Sequence, residues 1–151
     1  EKMKEIIVSI IYFIASIAFF LYFFYDSSKY LRIDPTLHFL SIYIPLILLS
    51  YVQIYIIWMD EREKFFKTTG LCLLGIVCIT LMYEIVKPNY TYEEAKQIVA
   101  REYDVEVQDS FLTTIPQAET GKENYRMNVI QDSNEIVVIF NPYTKEILFL
   151  N

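Results

Sequence analysis

Three stretches of this chain contain no Asp, Glu, Lys or Arg: Ile6–Tyr25, Pro35–Met59 and Thr68–Tyr83. The first runs for twenty residues, and at about 1.5 Å of rise per residue that is enough to cross a hydrocarbon layer of roughly 30 Å. A soluble domain of 151 residues does not ordinarily carry 54% hydrophobic and 17% aromatic residues against 21% charged. The pattern predicts three transmembrane helices, at about 6–25, 36–58 and 68–86, within a membrane domain covering residues 1–87. Ile6–Tyr25 is long for a secretory signal, and no small-x-small site follows Phe24, so this segment is expected to be retained.

Charge divides the chain again. Residues 1–87 hold eight acids and eight bases, whereas 88–151 hold eleven acids and five bases and supply the whole net charge of -6. An acidic tail lacks the basic surface that neutralises phosphates, which argues against nucleic acid and against an anionic lipid surface as its partner. Short charged connections, Asp26–Asp34 and Asp60–Lys67, separate the spans. With the N-terminus inside, the inner segments hold Lys2, Lys4, Arg62, Lys64 and Lys67, against Lys29, Arg32 and Lys87 outside. That excess predicts a cytoplasmic N-terminus and an extracytoplasmic tail in a cell membrane.

Within the spans, chemistry is sparse. Pro45 near the middle of the second helix removes a backbone donor and predicts a kink, with a carbonyl left for a neighbour to satisfy. Tyr51, Tyr55 and Trp58 mark its interfacial end. His38 lies near the other interface, where hydrogen bonding outweighs metal ligation. Gln53 is expected to bond another helix or a partner. Ser9 and Ser16, seven apart, share a face suited to close helix packing. Ser41, Tyr43, Ser50, Cys78 and Thr80 complete the polar set. Glu84 is affordable only at the interface, and Lys87, three residues on, is positioned to pair with it. Cys72 and Cys78 fall on different sides of one helix, without CxxC spacing, and are expected to act as small hydrophobes.

The tail, 88–151, begins as Pro88 ends the third helix. Thr91 and Glu94 have capping-box spacing, opening a helix to about Tyr103 with Ala95, Ile98 and Val99 as its buried stripe. From Val105 the period drops to two. Val105, Val107 and Phe111 predict one strand or a bulged pair reaching Ile115, followed by a polar loop at Pro116–Asn124. Further strands are expected around Tyr125–Val129, Glu135–Phe140 and Glu146–Leu150, giving an α-β-β-β unit with an antiparallel sheet and the helix on one face. The fold class is therefore an α+β membrane protein.

YTYEEAKQIVAREY together with FNPYTKEIL resembles the PepSY family, small domains found outside the membrane in many bacterial proteins. The first segment matches that family's capped helix with Glu-Ala. The second matches its strand, Asp/Asn-x-x-Thr-Gly turn and final strand, with Lys145 in place of the usual glycine and no glycine after the helix. The resemblance covers Tyr90–Leu150 and implies a noncatalytic module for binding and regulation, in some proteins associated with peptidases. The three spans resemble no recognised family.

The residues themselves lead the same way. Ile136, Val137, Val138, Ile139 and Phe140, like Ile147–Leu150, are apolar without alternation, so a sheet covered by one helix has apolar surface left for a partner, another copy, the bilayer or the loop 108–124. Candidate contact residues are Gln53, Tyr55, Ile136, Val138, Phe140 and Phe149. The tail has no His or Cys, Ser110 and Ser133 have no identifiable base, and Asp104, Glu106 and Asp109 lack a calcium-loop pattern. No catalytic residue, metal site or cofactor is expected. The sequence points to an accessory or regulatory subunit of a larger membrane protein or peptidase. An immunity protein against a membrane-active peptide, a peptidase-inhibitory or sensory module, and a homo-oligomeric transport protein are the alternatives.

Overall fold

The computed structural model describes residues 2–34, 36–59, 62–117 and 120–150. Pro35, Asp60, Glu61, Ala118 and Glu119 lie outside the described residues, as does the side chain of Ser50. The elements are α1 (Lys2–Lys29), α2 (Thr36–Trp58), α3 (Arg62–Val86), α4 (Tyr92–Tyr103), β1 (Glu106–Gln108), β2 (Thr114–Pro116), β3 (Glu123–Gln131), β4 (Asn134–Phe140) and β5 (Ile147–Leu150).

The first three helices are long and apolar enough to cross a membrane. α2 has the expected bounds, but α1 and α3 run further into charged sequence than the uncharged stretches indicate. Charge does not end a helix, because Lys and Glu are good helix formers and pair along its surface. Lys67 bonds Glu63 at 2.6 Å one turn away, and Lys29 meets Asp26 at 3.3 Å. Most of the expected connection at Asp60–Lys67 is thus the opening of α3.

The chain forms two compact units. One comprises Glu1–Tyr25 and Leu37–Val86, and the other Asp26–Thr36 and Lys87–Asn151.

In the helical unit, buried positions step by three, four or seven residues. They are Glu5, Ser9, Tyr12, Ser16 and Phe23 on α1 and, at the same spacing, Phe65, Thr69, Cys72, Ile76 and Tyr83 on α3. That is a heptad seam. Phe23 stacks on Tyr43 at 4.8 Å and meets Tyr83 edge-on at 4.6 Å, closing one end of the seam with rings. The Tyr12 hydroxyl donates to the Leu46 carbonyl at 3.0 Å, one residue beyond Pro45.

In the second unit, Thr91 and Glu94 complete the capping box: Thr91 Oγ1 accepts from the Glu94 amide at 3.2 Å and Glu94 Oε2 from the Thr91 amide at 2.7 Å. The sheet is antiparallel in the order β1-β3-β4-β5, with β2 also paired to β3. β1 and β2 lie along one side of β3, at Gln108↔Asn128 and Thr114↔Tyr125, with an unpaired stretch between them. Phe111 sits in that stretch and is fully exposed, so it belongs to no strand.

The α1–α2 connection is more than the short turn the sequence implies. Tyr30 and Ile33 join Ala95, Val99, Tyr125, Met127, Val129, Val138 and Phe140 in a single apolar core. The Tyr143 hydroxyl donates to the Asp34 carbonyl at 2.9 Å, and Lys87 lies 3.7 Å from Asp26. The chain reaches this arrangement through left-handed backbone at Leu31 (φ 56°) and Arg32 (φ 50°). Such conformations are costly without glycine, and the burial of Tyr30 and Ile33 offsets that cost.

Candidate functional site

Strand register decides which tail residues can meet a partner. Side chains alternate across a strand, so Met127, Val138 and Phe149, which are aligned neighbours, share one face, and that face carries α4. Val138 and Phe140 are completely buried there, and Ile136 and Phe149 pack against the same core. Phe149 meets the Tyr103 ring edge-on at 4.7 Å. These four candidate contact residues therefore serve the domain's own core. Their neighbours point the other way: Leu148 is 59% and Leu150 48% exposed, aligned with Ile139 and Val137 on the opposite face. β5 ends the strand order and, though only four residues long, carries no charge or proline, two of the features that block edge pairing.

The turn before β5 is held from both sides. Asn141 Oδ1 accepts from the amides of Tyr143 and Thr144 at 3.0 and 3.3 Å, and the Pro142 carbonyl accepts from the amides of Asn89 and Tyr90 at 3.0 and 3.1 Å. Lys145 takes left-handed φ of 68°, and Asp104, which ends α4, takes 52°. Lys145 also reaches Glu102 at 2.5 Å. Burial, reinforced by the Asp34 and Glu123 carboxylates, pushes the Tyr143 phenol up to about 12. Burial raises Tyr30, Tyr92 and Tyr125 as well.

Polar side chains of the helical unit gather inside it. Gln53 is wholly buried and its Nε2 donates to Thr69 Oγ1 at 3.2 Å, so it bonds α3 of its own chain. Gln53 Oε1 and Ser9 Oγ have no hydrogen-bond partner, whereas Ser16, on the same face as Ser9, donates to the Tyr12 carbonyl at 2.8 Å. Tyr43 and Thr80 hydroxyls lie 3.4 Å apart. Tyr55 is exposed, its ring 6.4 Å from Trp58, and His38 and Glu84 are exposed near the ends of α2 and α3. Cys72 is buried in the seam and Cys78 is exposed. Among the described residues, no three His, Cys, Asp or Glu side chains converge as a metal site.

A cleft of about 640 Å³ lies between the first half of α1 and the last part of α2, with Ile6, Ser9, Ile10, Ile54 and Trp58 in its walls. Hydropathy alone gave no sign of it, because both helices are apolar around most of their circumference. Comparison with protein-family models, with curated proteins and with solved structures finds no match for this chain.

Proposed function

We propose that this protein is a noncatalytic accessory or regulatory subunit of a bacterial membrane complex. Its three helices span the bilayer with the N-terminus in the cytoplasm, and its tail domain stands outside and binds a protein partner. The observation that carries this reading is the position of β5 at the end of the strand order, free of charge and proline, with Leu148 and Leu150 facing outward. An edge strand of that kind suits addition of a partner's strand, with the outward leucines entering its apolar surface.

The turn chemistry supports the PepSY-like part of the reading. The two positions where that family favours glycine, after the helix and in the final turn, are occupied by Asp104 and Lys145 in left-handed backbone, the conformation that glycine adopts without strain. The resemblance implies restraint or sensing in a neighbouring membrane protein or peptidase.

The test is purification from the native membrane in mild detergent, followed by mass spectrometry of intact complexes. A larger membrane protein should be recovered in fixed stoichiometry and lost from a Leu148→Glu variant whose own level is unchanged. Recovery of monomer or homo-oligomer alone under several gentle conditions would count against the proposal.

A further inference from the structure

The cleft between α1 and α2 has three properties that together describe a ligand. It is almost wholly apolar, with Ile10 and Ile54 more than half exposed along it. It is short. On α1 it runs only from Ile6 to Phe13, seven steps or ~10 Å of axial rise, which covers less than one leaflet, whereas a partner helix would lie along the full length of α1 and α2. Trp58 stands in its wall, and an indole prefers the headgroup boundary, so the cleft leads inward from that boundary.

Ser9 supplies the polar contact. It belongs to the cleft wall, yet its Oγ is buried without a partner. Ser16 shows the ordinary solution in the same helix, donating back to the carbonyl four residues earlier. Ser9 leaves its donor unused, and an unused donor is costly where water is absent. Because Oγ is buried in the structure, its contact with a ligand requires a change between staggered rotamers that turns it to the cleft.

We infer that this cleft binds one acyl chain of an ester-linked membrane phospholipid, with the ester carbonyl accepting a hydrogen bond from the Ser9 hydroxyl. The inference rests on the membrane-spanning reading of α1 and α2. It makes lipid chemistry at one leaflet, in addition to a protein partner, a ligand of this chain.

Trp58, the one tryptophan in the sequence, reports on the site directly. The protein is reconstituted in vesicles of phosphatidylcholine with brominated acyl chains, which quench indole fluorescence. Unbrominated diester or diether phosphatidylcholine is then titrated in to relieve the quenching. The diester lipid should displace the brominated one roughly fivefold better, the size expected of one hydrogen bond. Ser9→Ala should abolish that preference and Ser9→Thr should keep it. Equal displacement by both lipids in the unaltered protein, or a preference that survives Ser9→Ala, overturns the inference while leaving the membrane reading in place. In a background with Cys72 and Cys78 replaced by alanine, covalent dimers crosslinked through cysteines placed at Ile10 and Ile54 would show a second copy in the cleft and overturn it as well. Absence of quenching by any brominated lipid would overturn the membrane reading itself, and this inference with it.

Discussion

The two units of this chain sort the same side chains in opposite directions. In the tail, Val129, Val138 and Phe140 are fully buried while Glu93, Glu106 and Glu135 face outward. In the helical unit, Ser9, Ser16, Gln53 and Thr69 are buried while Ile11, Ile14, Leu71 and Leu74 are exposed. Water outside explains the first arrangement, because burying apolar surface drives it. The second arrangement is the one that packing and hydrogen bonding would produce in surroundings as apolar as the side chains, as the proposed membrane spans require. The contrast teaches that a buried residue's meaning depends on the solvent its unit faces.

Four changes sharpen this contrast, beginning with the largest effect. Phe140→Ser removes a fully buried ring and leaves a hydroxyl among apolar neighbours, so it should cost the tail about 3–5 kcal/mol. Loss of near-ultraviolet circular dichroism and rapid amide exchange across β3 and β4 would show it. A mild effect there would mean that the tail's core does not depend on burial.

Alkali should come next. Tyr143 has a folded pKa of about 12, above its ordinary value of 10.0, so the neutral phenol is favoured by folding. That contribution is complete below about pH 10 and disappears as the pH rises through about 12. Raised values for Tyr30, Tyr92 and Tyr125 act in the same direction. A pH-dependent denaturation series should show tail stability falling over this window, less steeply in Tyr143→Phe. An unchanged slope would separate the fall from this phenol.

At neutral pH, Tyr143→Phe removes the bond to the Asp34 carbonyl and should lower tail stability by about 1 kcal/mol, read as a shift in denaturant midpoint. The smallest effect is expected of Gln53→Leu. It loses the bond to Thr69 but also removes the unpartnered Oε1, so the bundle should change by under about 1 kcal/mol. A loss of several kcal/mol in reversible unfolding from bilayers would show that this polar layer dominates the unit's stability.

Much of this architecture was legible in the sequence. The α2 limits follow from an uncharged run, and α4 from the Thr91–Glu94 spacing and the stripe of Ala95 and Val99. The helix ends at Lys2 and Arg62 were not, because hydropathy stops where charge begins and hydrogen bonding does not. The inside of the bundle was also hidden. When every face is apolar, the informative signal is the recurrence of small and polar residues, and Ser9 with Ser16 shows it on α1. Extending that step to Glu5, Tyr12 and Phe23 would have found the seam.

The sheet residues named as candidate contacts pack in the tail's core, which was hidden for a related reason. IVVIF has no alternation, so only pairing with β3 tells Val138 and Phe140 from Val137 and Ile139. The role of Tyr30 and Ile33 needed contacts across roughly a hundred residues of sequence, between the α1–α2 connection and β3 and β4. No local pattern encodes that.

Substituted-cysteine accessibility tests the central claim most directly, in a background with Cys72 and Cys78 replaced by alanine. Lys29→Cys, Thr144→Cys and Lys67→Cys would each be treated, in intact cells, with a maleimide that cannot cross the membrane. The expected result is labelling at positions 29 and 144, with position 67 labelled only after the membrane is opened. Labelling of positions 29 and 144 from opposite sides would contradict both the three-span topology and the shared core of the connection and the tail.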